Sequence, residues 1–260
     1  MFKKKSLGQH FLNSPKIVSD IVIASNVTPN DTVLEIGPGE GVLTEKLLQT
    51  GAHVISIEKD DRLIPELHRR FTREIALKKF DLIHADVLDV GLTHITNSEY
   101  KIVANIPYYI TGQIIRMFLE SDKQPTSMTL LIQKEVADRI VARDGKESLL
   151  SLSVKIFGEP KISRIVGRGA FIPQPNVDSA VLHIENINKS RLNGVDESLF
   201  FKIIHAGFAH KRKQLLPNLC SIFEKGKLLV AFKKCEINEK ARAEDLPLDT
   251  WVKLCHEINA

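Results

Sequence analysis

Acidic and amide side chains recur where short apolar runs end, and their spacing outlines a small-molecule site. The run Thr32-Val33-Leu34-Glu35-Ile36 breaks into Gly37-Pro38-Gly39-Glu40-Gly41, with Val42-Leu43 and Leu47-Leu48 following at helical spacing. This pattern predicts a strand, a Gly-rich turn and a helix. Glycine reaches positive φ freely and has no Cβ, so such a turn lets backbone approach a ligand closely. The dinucleotide fingerprint is G-x-G-x-x-G, which places a diphosphate on a helix N-terminus. Here the spacing is G-x-G-x-G, and Glu35 and Glu40 bracket the turn. Two carboxylates repel a diphosphate and attract positive charge. S-adenosylmethionine meets that description, having an adenosine, a sulfonium, an ammonium and no phosphate. The stretch taken alone also reads as an ordinary Gly-rich βα turn.

Further polar residues follow at the ends of later runs. Glu58 ends Val54-Ile55-Ser56-Ile57, 21 residues after Gly37, where a carboxylate can accept hydrogen bonds from both hydroxyls of a ribose. Asp86 follows Leu82-Ile83-His84-Ala85 and is placed to accept from an adenine amino group, although an Asp there also serves as a turn residue. Lys101-Ile102-Val103-Ala104 runs into Asn105-Ile106-Pro107-Tyr108. An amide oxygen on Asn105, the Ile106 carbonyl made rigid by Pro107, and the ring of Tyr108 together suit an exocyclic amine on a planar base. A turn capping the next helix is the plainer reading. The loop Phe171-Ile172-Pro173-Gln174-Pro175 is fixed by two prolines, so Phe171 is either presented from it or anchored in the core. Lys211-Arg212-Lys213 is the densest basic run beyond the N-terminus, suited to phosphates or to plain solvation.

Positioning these groups requires an open α/β sheet. Apolar runs alternate with helical periodicity from residue 15 to residue 157, and a strand at Val181-Leu182-His183-Ile184 follows the Pro-rich loop. Segments 149–157 and 162–166 read as either helix or strand. Phe11 and Leu12, ahead of a helix that starts near Asn13-Ser14-Pro15, read as a hydrophobic staple. Near Asn186 the composition turns polar, which sets the expected domains at 1–186 and 187–260, the second helical throughout. Residues 186–260 hold 13 Lys and Arg against 9 Asp and Glu, so they carry the whole of the +4 net charge and suggest a polyanionic partner. A chain of 260 residues has room for one large domain and a small appendage. No run approaches the ~20 apolar residues of a membrane span, and no secretory signal follows the basic start. Three widely spaced cysteines fit reduced thiols in a cytoplasm better than disulfides or a metal site.

Taken in order, Gly8-Gln9-His10-Phe11-Leu12, Glu35 to Gly41, Glu58, Asp86, Asn105-Ile106-Pro107-Tyr108, Gln133-Lys134-Glu135-Val136 and Phe171 to Ala180 resemble the KsgA-type rRNA adenine dimethyltransferases. The likeness continues through Lys211-Arg212-Lys213-Gln214-Leu215 and Arg242-Ala243-Glu244-Asp245-Leu246. It departs at Glu147 to Ser153, which lacks the family's Tyr-Gly, and at Lys211-Arg212-Lys213, where Arg-Arg-Lys is commoner. The resemblance implies a seven-stranded, doubly wound, Rossmann-like methyltransferase domain with a small all-helical C-terminal domain that grips RNA. It implies S-adenosylmethionine-dependent N6,N6-dimethylation of two adjacent adenosines in the 3′-terminal hairpin of small-subunit rRNA, by a monomer acting on a pre-30S particle without a metal. It further implies that segment 1–13 covers the cofactor. His10, Leu12, Gly37, Glu58, Asp86 and Asn105 would then bind it, and Tyr108 and Phe171 would sandwich the target adenine. Rival expectations are a resistance-type methyltransferase of large-subunit rRNA and a non-catalytic assembly factor.

Overall fold

A two-residue strand, β1 (Phe11–Leu12), leads into helix α1 (Pro15–Ser25), whose first turn accepts Pro15 because no intrahelical N–H bond is needed there. Ile17, Val18 and Ile21 form its buried stripe, at about 1.5–3 kcal/mol for each side chain taken fully from water. Three βα units follow. β2 (Thr32–Ile36) and α2 (Val42–Leu48) precede β3 (His53–Glu58), α3 (Ile64–Arg70) and α4 (Thr72–Ala76). β4 (Phe80–His84) comes next, and then β5 (Lys101–Asn105), α5 (Thr111–Leu119) and β6 (Ser127–Gln133). β2 and β6 are buried almost throughout, as mainly apolar strands covered on both faces are, and the buried polar residues Glu35 and Thr129 interrupt them.

The chain then passes through α6 (Lys134–Val141) and α7 (Leu149–Lys155) to β7 (Glu159–Val166), β8 (Phe171–Ile172) and β9 (Ser179–Glu185). The seven-stranded sheet has the order β4-β3-β2-β5-β6-β9-β7. β4 to β6 are parallel, while β9 inserts antiparallel between β6 and β7. β4 and β7 are the edge strands, and the burial of β7 alternates residue by residue as the two-residue period demands. A second, two-stranded sheet joins β1 to β8, pairing Leu12 with Phe171.

This computed structural model describes residues 11–90, 99–210 and 212–259. Contacts divide the chain into two units, 1–137 with 159–187, and 138–158 with 188–260. The second boundary falls next to the composition change at Asn186, but residues 138–158, expected with the sheet, group with the C-terminal unit. The reason is local bonding: the Glu147 N–H donates to the Glu244 carbonyl at 2.9 Å, and the Lys146 Nζ reaches Glu244 at 2.7 Å. That unit also holds α8 (Glu197–Gly207), α9 (Leu215–Leu219), α10 (Lys225–Lys234) and α11 (Leu248–Asn259). Asp196 caps α8 by accepting from the Leu199 N–H. Trp251 is fully buried and stacks on Phe208 at 5.8 Å. A Cβ on Gly207 would lie 2.5 Å from the Trp251 ring, so the indole needs a glycine opposite it. Among the described residues no helix is long and apolar enough to cross a membrane.

Candidate active site

Strand order reverses between β2 and β5, since β2 connects onward to β3 on one side and β5 lies on the other. Open α/β sheets bind ligands outside the carboxyl ends of the strands at such a point. A cavity of about 190 Å³ lies there, walled by the ends of β2, β3 and β5 and by the segment after β4. Gly37 and Gly41 shape the turn beyond β2, with φ of +67° and +81°. A Cβ on Gly37 would touch nothing within 4 Å, so that face of the turn stays open. One on Gly41 would meet the Phe71 ring at 2.6 Å.

Five carboxylates belong to the wall, Glu35, Glu40, Glu58, Asp60 and Asp86, and three of them have partners that define their role. Glu35 lies within β2, 1% exposed, and its Oε2 accepts from Thr44 Oγ1 at 2.7 Å and Ser56 Oγ at 2.6 Å. Burial, opposed by those two hydrogen bonds, pushes its carboxyl up to about 7. Glu58 ends β3. Its Oε1 accepts from the Asp60 N–H at 2.7 Å and its Oε2 from the Gly39 N–H at 3.2 Å, which ties the Gly-rich turn to the next strand. Burial raises its carboxyl as well. Asp86 follows β4, with Oδ1 accepting from the Leu88 N–H at 3.0 Å and Oδ2 paired with the Lys59 ammonium. That ion pair holds its carboxyl below the ordinary value. Among the described lining residues Lys59 is the single Lys or Arg, and it is paired with Asp86.

Asn105 is the last residue of β5, and Ile106, Pro107 and Tyr108 carry the wall on into a 3₁₀ turn, Tyr108–Ile110, ahead of α5. Tyr108 Oη lies 2.6 Å from Ser179 Oγ, so the ring orientation is fixed by the first residue of β9. Leu12 and Phe11 close the cavity from β1. The structure therefore brings together Leu12, Gly37, Glu58, Asp86, Asn105, Ile106, Pro107 and Tyr108 around one space. The acceptors suit hydroxyls, amines and positive charge, and no described Lys or Arg of the wall is placed to bind a phosphate. This chemistry fits S-adenosylmethionine.

Phe171, expected either presented or anchored in the core, takes the second place. It is 2% exposed and does not line the cavity. Pairing of β8 with β1 turns it into the apolar cluster that contains Leu12, Val18 and Val166, so it anchors the β1 cover instead of presenting a ring. Ile172 and Pro173 are the exposed residues beside it. His10 and Lys211 lie outside the described residues. Arg212 and Lys213 are exposed in the C-terminal unit. Sequence reasoning missed Lys59 and Tyr109, which also belong to the cavity wall. Lys59 directly follows Glu58, and adjacency to a strand-end acid was its only signal. Tyr109 is 66% exposed, an unusual state for an aromatic on a cavity lip.

Sheet order, Gly-rich turn and acidic strand ends together are those of a Rossmann-like methyltransferase fold. The chain belongs to the ribosomal RNA adenine dimethylase family, whose pattern matches residues 1–260. It is accordingly an rRNA adenine dimethyltransferase. The protein named ribosomal RNA small subunit methyltransferase A from Dehalococcoides mccartyi is 43% identical over 258 residues, covering 98% of this chain and 88% of that protein. The protein of that name from Enterococcus faecalis is 38% identical, over 98% of this chain and 90% of its own length. A crystal structure of a dimethyladenosine transferase from Plasmodium falciparum superposes with a TM-score of 0.84 at 27% identity, over 96% of this chain and 98% of that one. The 23S rRNA methyltransferase ErmE, at 24% identity, has a TM-score of 0.79 over 96% of this chain and 100% of that one, a likeness of fold.

Proposed function

We propose that this enzyme uses S-adenosylmethionine to dimethylate N6 of two adjacent adenosines in the 3′-terminal hairpin of small-subunit rRNA, acting as a cytoplasmic monomer on an assembling small subunit. The observation that carries the reading is the cavity itself, with Glu35 inside β2, Glu58 at the end of β3, Asp86 just beyond β4, and Asn105-Ile106-Pro107-Tyr108 on its wall. The choice of small-subunit rRNA is supported by the names of relatives that share 37–43% of their residues with nearly the whole chain.

When bound, S-adenosylmethionine supplies an electrophilic methyl group. Glu58 would hold the ribose hydroxyls, Asp86 the adenine amine, and the turn at Gly37 would allow close backbone approach, with Leu12 closing the cavity. An adenine amine is a poor nucleophile because its lone pair is delocalised into the ring. The Asn105 side-chain oxygen and the Ile106 carbonyl would accept its two N–H hydrogens and favour a pyramidal nitrogen. Tyr108, held by Ser179, would stack on the base, worth about 1–3 kcal/mol against the cost of unstacking it from the RNA. Orientation and fixed dipoles carry the catalysis. Arg212 and Lys213, with Lys211, would contact phosphates from the C-terminal unit.

The test is methyl transfer from labelled S-adenosylmethionine to purified small subunits lacking the modification, followed by nucleoside analysis. The expected product is N6,N6-dimethyladenosine in the 3′-terminal hairpin. Product confined to large-subunit rRNA would overturn the substrate assignment, and binding without transfer to either subunit would overturn the catalytic one.

A further inference from the structure

One carboxyl on the cavity wall has surroundings that suit its acid form and not its ion. Both hydroxyls that reach Glu35, Thr44 from α2 and Ser56 from β3, meet the same oxygen, Oε2. Oε1 is buried and has no hydrogen-bond partner. A buried carboxylate with one oxygen unsolvated is costly, whereas the neutral acid carries no net charge to solvate. The charged group facing it from β3 is Glu58, which is of like sign and resists ionisation further. The remaining charged groups of the wall are Glu40, Asp60 and the Lys59–Asp86 pair, and the one cation among them is already matched. From β5 the wall contributes the uncharged Asn105. Nothing charged on the described wall is left to balance a Glu35 carboxylate.

We propose that Glu35 is the counter-charge for a cationic ligand in this cavity, holding a proton before the ligand binds and releasing it to solvent as the ligand's positive charge enters. The inference rests on the S-adenosylmethionine reading and adds how the site accommodates a cation. The exchange balances: a carboxylic acid and an incoming cation become a carboxylate facing that cation, and one proton goes to water. Burial leaves both forms of Glu35 populated near neutral pH, so the exchange is measurable there. The low dielectric of the enclosed wall couples the two charges strongly.

Calorimetric titration of the full chain in two buffers of different ionisation enthalpy counts the protons. Between the wild type and Glu35→Gln, the expected difference on binding S-adenosylmethionine is about half a proton released at pH 7, close to one at pH 6 and none at pH 9. At pH 6 the ligand's α-amine, ordinarily at about 7.7–8.0, is already protonated when free and adds nothing to either count, so that pH is the decisive one. S-adenosylhomocysteine keeps the ammonium and lacks the sulfonium. Release with both ligands assigns the ammonium as the partner, and release with S-adenosylmethionine alone assigns the sulfonium. Equal proton counts in wild type and variant would overturn the proposal. Should Glu35→Gln fail to fold, the infrared difference spectrum of the wild type decides. Loss of a protonated-carboxyl carbonyl band on binding supports the exchange, and an unchanged band refutes it. Absence of binding heat with either ligand would instead remove the S-adenosylmethionine reading, and this inference with it.

Discussion

Glu35, Glu58 and Asp86 belong to one cavity wall, yet each has its charge handled differently. Asp86 is neutralised by Lys59, Glu58 is held by two backbone N–H donors, and Glu35 has two hydroxyls on one oxygen only. The last arrangement links folding to pH. A carboxyl raised from 4.5 to about 7 binds its proton more tightly in the fold than in the unfolded chain. Its contribution to stability is therefore complete below pH 4.5 and is lost as pH rises through 7, a loss of about 3 kcal/mol. Urea denaturation of wild type and Glu35→Gln across that range should show the wild type losing about 3 kcal/mol relative to the variant; parallel curves would mean that Glu35 ionises in the fold as freely as in water. Asn105 acts at the same scale on chemistry. Asn105→Ala removes one of two acceptors proposed to orient the amine, so transfer should fall by about 100-fold or more while rRNA binding persists. Single-turnover transfer set beside filter binding reads both, and wild-type turnover would sink the assignment.

The elements were legible wherever their pattern was local. Strand, turn and helix at 32–48 follow from apolar runs broken by glycines, and β5 stops at Asn105 as its sequence predicts. The ambiguous segments resolved as α7, opened by the Ser148–Ser151 capping box, and as the alternating edge strand β7. Period alone could not separate them, because both are short and half-buried. The β1–β8 ladder was not legible at all. Phe11 and Leu12 pair with residues some 160 positions away, and no local pattern announces a partner at that distance. That one pairing explains why Phe171, placed by a rigid loop, is core and not platform. Two glycines of the same turn give a test of how the element is packed. Gly41→Ala adds strain at φ +81° and drives a Cβ to 2.6 Å from Phe71, whose buried ring is pinned edge-on against Phe80 at 5.1 Å. The cost should be about 2–4 kcal/mol, from backbone strain plus overpacking. Gly37→Ala, with φ +67° and open space, should cost only about 1 kcal/mol. Equal shifts in denaturation midpoint would show that Phe71 gives way.

Across the whole molecule, charge and chemistry are segregated in sequence. The residues lining the cavity all lie within the first 110, in the sheet unit, while the entire excess of positive charge lies beyond residue 185. A substrate that is a small fold within a very large polyanion explains such a division. Catalytic geometry has to be rigid, whereas phosphate attraction is long-ranged and tolerant of position. The basic run at 211–213 is where the two demands can be separated experimentally. Arg212 and Lys213 are exposed, and α9 begins two residues later with its Leu215 N–H donated to the Ala241 carbonyl at 2.8 Å. Removing both charges should leave that packing intact, because neither side chain is buried. Each phosphate contact contributes a slope of about 0.7–0.9 in log affinity against log salt. Arg212→Ala with Lys213→Ala should therefore flatten the salt dependence of rRNA binding by about 1.4–1.8. The decisive quantity is the slope and not the affinity at one salt concentration, since a distorted unit would lose affinity without changing the number of ions released. An unchanged slope, whatever the affinity, would take the run out of the phosphate contacts and move the search for them to the lysines of α10.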